Sequence, residues 1–505
     1  MRYGLLVVAA LLPAGAVAAE TYHIAPGGND ANDGSAGSPW RTLQHAADTV
    51  AAGDTVQVAA GSYAGFVMET DGRAGAEIAF VGAAGARITS SAPAGEDGIN
   101  LEGASFIRVE GFTVTGATRD GIRAVTCEHV TIRNNVVVAN GFFGIFTGFC
   151  DDLLIENNEV ARQPTEHGVY VSNSGDRPVL RNNVIYSNAK AGIHMNGDVT
   201  LGGDGIISDA VVELNNIYDN GGNGGASGIN CDGVQDSIFR NNLLFANHAS
   251  GISLYREDGG GASTGNLVVN NTIVMASDGR WAINVQNASG RNRYRNNILL
   301  SANSRTGAFD MSADSVTGTV SDHNAGVGRF SLAETEINLA AWRSMTGLDG
   351  DYAETTEAAI FTTVPGQAPA DFVPRAGGPA VDHGTATDAP PMDLAGNARP
   401  QGDSVDLGAL ERCDGPCMEP PPGGSDAGTG GPGDPDAGGG GGGGRDAGGG
   451  GGGGGGDGGG SLNGGDGEIT GGCCDTGDAG RSGSGVLLLG GAVAAALGLR
   501  RRRRA

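Results

Sequence analysis

Side chains that transfer protons or bind charged groups are concentrated between residues 166 and 256. The candidates for catalysis are Glu166, His167, Lys190, His194, Asp232 and Arg256. Lys190, the only lysine of the chain, and His194 are the candidate bases. The guanidinium of Arg256 could hold a carboxylate through two hydrogen bonds. A base beside a bound carboxylate could remove the proton α to it, the first step of β-elimination on a uronic acid.

Other side chains near these residues could bind a sugar. The candidates are Phe143, Tyr170, Asn196, Asn230, Tyr255 and Trp281. Aromatic rings offer flat apolar surfaces, and amides both donate and accept hydrogen bonds. We therefore expect the substrate or ligand to be a polysaccharide.

Three aspartates in the same region could bind a calcium ion. Asp198, Asp204 and Asp232 supply the oxygen ligands that Ca²⁺ prefers. Asp198 and Asp204 lie in the extra residues of the longest repeat step, which predicts a loop beside the candidate site. No spacing of Cys and His resembles a zinc site.

A repeat of about 23–26 residues must position these side chains. Asn-Asn pairs recur at 134, 157, 182, 215, 241, 270 and 296. Gly-Ile or Gly-Val recurs at 121, 144, 168, 192, 228 and 251. Periods of this length with alternating apolar residues predict stacked β-strands, here a right-handed parallel β-helix. Stacked Asn side chains can form hydrogen-bonded ladders along such a solenoid.

Strand alternation places the candidates on one outer face. The Ile or Val after the marker Gly points inward, so the next residue points outward. The first outward row is Arg123, Phe146, Tyr170, His194, Asn230 and Ser253. The second, two residues further on, is Val125, Gly148, Ser172, Asn196, Asp232 and Tyr255.

Residues 21–63 provide the N-terminal cap, with a short amphipathic helix around 40–51. The stretches Tyr22–Asp30, Ser38–Ala47 and Gly53–Val58 closely resemble the N-terminal region of secreted β-helix proteins related to family 9 polysaccharide lyases. That resemblance implies a lysine base and calcium. Asp371 to Glu411 resembles the C-terminal module found before varied surface anchors.

The two ends of the chain resemble export and sorting signals. Residues 1–19 are predicted to be a secretory signal peptide. Cys473-Cys474, a short apolar segment and an arginine run resemble the myxobacterial C-terminal sorting signal, MYXO-CTERM. This implies cleavage by a sorting protease near Cys473 and Cys474, followed by display on the cell surface or outer membrane, or secretion. A permanent tail anchor is the alternative.

These features predict five regions. They are a signal peptide (1–19), a parallel β-helix (20–330), a C-terminal β module (331–412), a Gly/Pro-rich disordered linker (413–485) and an apolar sorting helix with an arginine tail (486–505).

Cysteine usage agrees with export. Cys127 and Cys150 are 23 residues apart, one repeat period, so they should stack within disulfide distance. Cys413 and Cys417 frame a plausible small disulfide loop. Cys231 is left over and should be buried.

Composition excludes several classes of protein. Gly makes up 93 of the 505 residues and the net charge is −26. The high glycine content argues against a helical bundle, because glycine is a poor helix former. The negative net charge argues against a nucleic-acid binder, which needs a basic face. Apolar runs of membrane-spanning length are absent between the two ends.

Several functions remain open. The chain could be a lyase acting on acidic polysaccharide, or a non-catalytic glycan-binding or adhesive surface protein. A glycoside hydrolase using Asp151 and Asp152, or a uronan C5-epimerase, is a further alternative. An enzyme should bring Lys190, His194 and Asp232 into one groove. A binder should show an open platform of aromatic rings.

Overall fold

The computed structural model describes residues 19–222, 225–413 and 415–421. Most of the predicted signal peptide and linker, the apolar segment with its arginine tail, Cys473 and Cys474 lie outside the described residues. Within them, the strands form a right-handed parallel β-helix with three 12-stranded sheets, which confirms the predicted fold class. Each coil contributes a strand to sheet 1, then sheet 2, then sheet 3.

The three sheets are defined by their strands. Sheet 1 contains Thr21–Ile24, Thr55–Val58, Ile78–Gly82, Ile107–Glu110, Thr131–Arg133, Leu154–Glu156, Val179–Arg181, Val211–Glu213, Ile238–Arg240, Leu267–Val269, Arg293–Arg295 and Val320–Asp322. Sheet 2 contains Gly61–Tyr63, Ala86–Ile88, Thr113–Val114, Val136–Val138, Glu159–Ala161, Val184–Tyr186, Asn216–Tyr218, Leu243–Phe245, Thr272–Met275, Ile298–Ser301, Ala325–Gly326 and Ala353–Glu354. Sheet 3 contains Phe66–Val67, Ile99–Asn100, Ile122–Glu128, Ile145–Asp151, Val169–Ser172, Ile193–Asn196, Ile229–Asp232, Ile252–Tyr255, Ile283–Val285, Phe309–Met311, Arg329–Leu332 and Thr335–Asn338.

Short helices and a small sheet complete the described elements. The predicted capping helix is Leu43–Thr49, which buries Leu43, Ala46 and Ala47 against the first coils. The other α-helices are Leu339–Thr346 and Glu357–Ile360, and 3₁₀ turns span Val199–Leu201, Ala313–Val316 and Pro369–Phe372. Ile207–Ser208 pairs with Val234–Gln235. No helix among the described residues has the length and apolar character needed to cross a membrane.

Ladders of stacked amides line the inside of the turns. The main ladder consists of Asn135, Asn158, Asn183, Asn215, Asn242, Asn271, Asn297 and Asn324. Each Nδ2 donates to the next Oδ1 at 3.0–3.1 Å, and each Oδ1 also accepts a backbone N–H. The buried turns therefore satisfy their polar groups by repetition.

One disulfide joins equivalent positions of two adjacent strands, and the other joins two cysteines four residues apart. Cys127 and Cys150 lie on paired positions of adjacent strands, with a Cα–Cα distance of 4.5 Å. Cys413 is joined to Cys417, and Cys231 is a buried free cysteine.

The C-terminal residues differ in form from the predicted β module. Strands Arg329–Leu332 and Ala353–Glu354 still belong to the solenoid sheets, so the predicted boundary at 330/331 falls inside them. Residues 355–411 carry short helices and turns. Their Phe372, Leu407 and other apolar side chains pack against the outer side of sheet 2, around Tyr218 and Phe245.

The outer face of sheet 1 carries charges of alternating sign. The row is Glu110, Arg133, Glu156, Arg181, Glu213 and Arg240. Neighbours form ion pairs, such as Arg181 with Glu156 at 2.8 Å. This is a solvated, self-paired surface, unlike the outer face of sheet 3.

Candidate functional site

The outer face of sheet 3 carries the two predicted rows in the predicted register. Phe146 pairs with Tyr170, Tyr170 with His194, and His194 with Asn230. Asn196 pairs with Asp232 in the second row. Both rows are therefore confirmed, because neighbouring coils align at the marker glycines without a register slip.

A third column flanks these rows at the residue before the marker Gly. It contains Asp97, Asp120, Phe143, His167 and Ala191 on successive coils. Ring contacts show that this column shares the outer face: the ring centre of Phe143 lies 5.1 Å from that of Tyr170, and the ring centre of His167 lies 4.6 Å from that of His194. The face therefore changes along the solenoid from carboxylates to aromatic rings and then to imidazoles.

Two histidines form a buried hydrogen-bonded pair. The backbone N–H of Ala191 donates to His167 Nδ1 at 2.9 Å, so the proton of the neutral His167 ring is on Nε2. His167 Nε2 lies 3.1 Å from His194 Nδ1, and donation across this contact leaves the His194 proton on Nε2. His194 Nε2 is buried and has no hydrogen-bond partner.

Burial keeps both imidazoles neutral. It lowers the pKa of His194 to about 3. It also lowers the pKa of His167 well below its usual value, and the positive charges of His194 and Lys190 would lower it further. The pair therefore provides neutral hydrogen-bonding groups at physiological pH.

Lys190 and Glu166 lie beside this pair on adjacent coils. The Lys190 backbone N–H donates to the Glu166 carbonyl at 3.2 Å. Glu166 Oε2 lies 3.5 Å from His167 Nε2, and the Lys190 side chain is half-buried. Three of the six predicted catalytic residues, Glu166, His167 and His194, thus lie together next to Tyr170, and Lys190 lies on the coil adjacent to Glu166.

The predicted aromatic residues are mostly packed against one another. Phe143 and Tyr170 belong to a cluster with Phe146 and are 6% and 3% exposed. The guanidinium of Arg123 lies 4.6 Å from the centre of the Phe146 ring. The cluster is a packed floor and not the open platform expected of a binder.

The remaining predicted sugar ligands lie along the same face. The Asn196 amide donates to Tyr170 Oη at 3.2 Å, and Asn230 donates to Tyr255 Oη at 2.8 Å. Trp281 is half-buried at the start of a strand three coils beyond His194, roughly 14 Å away at the usual strand spacing. Trp281 is therefore not part of the cluster around Tyr170.

Asp232 and Arg256 make local contacts with the loop that follows Tyr255. Asp232 accepts the backbone N–H groups of Glu257, Asp258 and Gly259 at 2.9, 2.7 and 3.1 Å. Both Asp232 carboxylate oxygens therefore hold this loop. The exposed Arg256 donates from Nε to the Gly259 carbonyl at 3.3 Å.

The three predicted calcium ligands do not lie within 4.8 Å of one another in the described structure. Asp198 accepts from Thr200, the exposed Asp204 accepts from the Ile206 backbone, and Asp232 holds its loop. Among the described residues, the potential ligands found in threes within 4.8 Å are Asp322, His323 and Asp351. This group lies at the end of sheet 1, and its imidazole suits a transition metal better than calcium.

Asp151 and Asp152, the pair predicted for a glycoside hydrolase, both accept hydrogen bonds from neighbouring parts of the solenoid. Asp152 forms two hydrogen bonds to Arg177, at 2.8 and 3.1 Å. Asp151 accepts the Asp176 backbone N–H at 2.8 Å.

Another pair of carboxylates was missed by the sequence interpretation. Asp97 accepts both Nε and Nη2 of Arg119, at 2.9 and 2.8 Å. Asp120 lies on the next coil, and burial, followed by the charge of Asp97, raises its pKa to about 7. Asp97 and Asp120 each precede a glycine. They are 23 residues apart, which is also the spacing between Asp120 and Phe143. Counting back from Phe143 by the repeat period would therefore have placed both aspartates in the column before the marker glycines.

The family described as "Right handed beta helix region" matches residues 70–165, 97–273 and 144–322, which together span half of the chain. The family described as "Protein of unknown function (DUF1565)" matches residues 26–70. No curated protein sequence shows a significant match.

Several solved structures share the fold. Pectate lyase Pel9A has a TM-score of 0.52 at 17% identity, covering 79% of this chain and 98% of that one. A rhamnogalacturonan lyase has a TM-score of 0.40 at 16% identity, covering 60% and 87%. An alginate lyase from Paenibacillus sp. has a TM-score of 0.41 at 20% identity, covering 53% and 94%. At 17% identity, the similarity to the pectate lyase establishes the fold alone.

Proposed function

This chain belongs to the family of proteins with a right-handed β-helix region, and from that premise we propose that it acts on an acidic polysaccharide bound along the outer face of sheet 3. The proposed reaction is β-elimination. A base removes the proton at carbon 5 of a uronate, the electron pair forms the carbon 4–5 double bond, and the oxygen on carbon 4 leaves and takes up a proton.

One observation carries this proposal: Glu166, His167 and His194 are in contact beside Tyr170, and the Lys190 backbone is bonded to that of Glu166 on the adjacent coil. Clusters of perturbed titratable groups are typical of functional sites. Lys190 is the proposed base because it is the member of this cluster with a partly accessible side chain. Arg256, exposed two strands further along the face, is a proposed ligand for another uronate carboxylate. The pectate and alginate lyases among the similar folds are consistent with this substrate class.

Location is part of the proposal. The signal-peptide-like and sorting-signal-like ends support export and display at the cell surface, where acidic polysaccharides are accessible. Proteolytic release near Cys473 and Cys474 belongs to the same proposal.

The first experiment measures the ultraviolet absorbance of the new carbon–carbon double bond. The purified full chain is incubated with pectate, alginate or glycosaminoglycans, with calcium or with a chelator. We expect absorbance to rise on one of these substrates, and Lys190→Ala to reduce the rate at least about 100-fold. Arg87→Ala, an exposed cation on sheet 2, is the matched control and should keep full activity.

Two other outcomes would change the proposal. Binding of a uronan without any rise in absorbance would contradict the lyase reaction and support a non-catalytic glycan-binding protein, which the unpartnered atoms of His194 and Asn196 also favour. Inversion of carbon 5 without chain cleavage would identify a C5-epimerase, because the two reactions share the proton abstraction step.

A further inference from the structure

Three buried polar atoms on strand Ile193–Asn196 and directly after the neighbouring strand Val169–Ser172 have no hydrogen-bond partner. They are His194 Nε2, Asn196 Oδ1 and Asn173 Oδ1, and their side chains are at most 4% exposed. We call these three atoms the His194 subsite. Leaving a buried polar atom unpaired costs about 1–3 kcal/mol, so a group of three indicates a place that a ligand completes.

The existing hydrogen bonds determine what each atom offers. His194 receives a proton from His167 at Nδ1, so its Nε2 offers a donor N–H. Asn196 uses Nδ2 for the bond to Tyr170 Oη, which leaves Oδ1 as an acceptor. Asn173 lies at the end of the adjacent strand, where its backbone N–H donates to the Asn196 carbonyl at 2.7 Å, and its Oδ1 is a second acceptor. A ligand must therefore both accept and donate hydrogen bonds here.

An ionised carboxylate is a poor match for this subsite. It has only acceptor oxygens and would leave both amide oxygens unpaired. The neutral His194 ring supplies no compensating charge. Burial raises the pKa of Tyr170 to about 12, and the negative charges of Asp198 and Asp258 act in the same direction, so a bound carboxylate would also be near two carboxylates. Two neighbouring hydroxyl groups match all three atoms, because one can accept from the His194 N–H and each can donate to one amide oxygen.

Apolar surface borders the same atoms. The Tyr170 ring stacks on His194 at 4.8 Å. The loop that follows Asn196 exposes Val199 and Leu201, which are 47% and 40% exposed. This loop is held next to Asn173 because the Gly205 backbone donates to Ser174 Oγ at 2.8 Å. Hydrogen-bonding side chains beside an apolar surface suit a sugar ring, whose hydroxyls bond to the polar groups while its carbon face packs on the apolar surface.

We propose that the His194 subsite binds an uncharged, hydroxyl-bearing sugar residue. This inference rests on the proposed function, in that the sugar belongs to the polysaccharide on the outer face of sheet 3. It narrows the substrate class to polysaccharides in which a neutral sugar lies near the uronate that reacts.

The test uses the full chain labelled with ¹⁵N-histidine, which contains eight histidines. His194→Phe identifies the His194 Nε2 resonance by its loss and keeps a ring against Tyr170. The probes are the methyl glycosides of glucose, galactose and mannose, each paired with its uronate, which differs only at carbon 6. We expect at least one neutral glycoside to shift this resonance and to bind about tenfold more tightly than its uronate.

The variants separate binding from folding. His194→Phe should weaken binding of that glycoside about tenfold. His129→Phe, at a half-exposed position on another turn, should leave binding unchanged. If His194→Phe does not fold, the effect of Asn173→Ala on binding of the neutral glycoside decides the question.

Each contrary result has a distinct meaning. Equal or tighter binding of the uronates, or a His194 resonance that no saccharide shifts, overturns the neutral-sugar subsite and leaves the proposed elimination reaction intact. Binding of a neutral glycoside by a chain that neither binds nor cleaves any uronan supports the subsite and overturns the proposed reaction.

Discussion

Burial acts in opposite directions on the ionisable side chains of the outer face of sheet 3. It keeps the His194 ring in its neutral form with a single proton, since its pKa falls to about 3, and it favours the protonated form of Asp120, whose pKa rises to about 7. Both shifts favour the uncharged form, because a charge is costly away from water. Around Tyr170 the face therefore offers a ligand the neutral hydrogen-bonding groups of His167 and His194.

Asp120 makes the stability of the protein depend on pH. An aspartate in the unfolded chain has a pKa of about 3.9, so the folded protein binds this proton more tightly. The resulting stabilisation is complete below about pH 4 and is lost as the pH rises through about 7. Asp120→Asn mimics the protonated carboxyl, so we expect its free energy of unfolding to fall less between about pH 5 and about pH 8 than that of the wild type.

Urea unfolding at the two pH values measures this difference. The surrounding charges are Asp97, Arg119 and Arg123, together with Glu96, and all four are present in both proteins. Asp403→Asn, at an exposed position, is the matched control and should follow the wild type. Equal slopes for the wild type and Asp120→Asn would contradict the prediction.

The asparagine ladder is the element that sets the register of the coils. Its members repeat one residue after a left-handed turn residue, as in Asn182 followed by Asn183. At the longest repeat step the left-handed residue is Leu214 and the ladder residue is Asn215, so the first Asn of that pair takes the ladder position. The requirement for an amide at one buried turn position thus outweighs the local Asn-Asn pattern.

Asn183→Ala should interrupt the ladder at a measurable cost. The substitution removes bonds to Asn215 and Ile155 and leaves the backbone N–H of Asn158 without its acceptor. We expect the free energy of unfolding to fall by about 3 kcal/mol, because buried donors become unpaired.

Asn182→Ala provides the control in the same Asn-Asn pair. Its side chain is exposed, and its backbone φ of 55° predicts a loss of only about 1–2 kcal/mol. Equal losses in the two variants, measured by denaturant unfolding, would show that the amide ladder does not contribute more than backbone conformation.

At the scale of the whole molecule, the C-terminal residues determine which outer face stays available. Residues 355–411 cover the strands of sheet 2 around Tyr218 and Phe245 and are tied to the solenoid by side chains of the turns. Asn270 donates to the Asp406 and Gly408 carbonyls, and Asn296 donates to the Thr385 carbonyl. Sheet 1 is self-paired by its alternating charges, so sheet 3 is the face whose chemistry is left for a ligand.

The buried ion pair of Arg399 and Glu411 should hold this covering segment in place. Arg399 also donates to Asn241 of the solenoid at 3.2 Å. Arg399→Met leaves the Glu411 carboxylate buried without its cation, a change that typically costs about 3–5 kcal/mol. We expect faster limited proteolysis within residues 385–411, detected by mass spectrometry.

The exposed Arg375 supplies the comparison, and Arg375→Met should leave the cleavage rate unchanged. Unchanged cleavage in Arg399→Met would show that apolar packing around Tyr218 and Phe245 is sufficient to hold the segment.

Much of the outer face was predictable because a strand has only two faces. The marker glycines define the alternation, so the positions of Tyr170, His194 and Asn196 follow from counting residues. Asp97 and Asp120 were missed because the search for catalytic residues started from the histidines and the lysine, and the two aspartates lie on earlier coils. The same count places them in one column with Phe143 and His167.

The sequence by itself determined the period, the fold, the two outward rows and the stacking of Cys127 on Cys150, since each depends on spacing along the chain. Only the tertiary structure decided how the side chains are used. It showed that Asp232 holds three backbone N–H groups, that His194 is neutral with a free N–H, and that residues 355–411 cover sheet 2. These properties depend on burial and on contacts between distant segments, and residue type and local periodicity do not specify either.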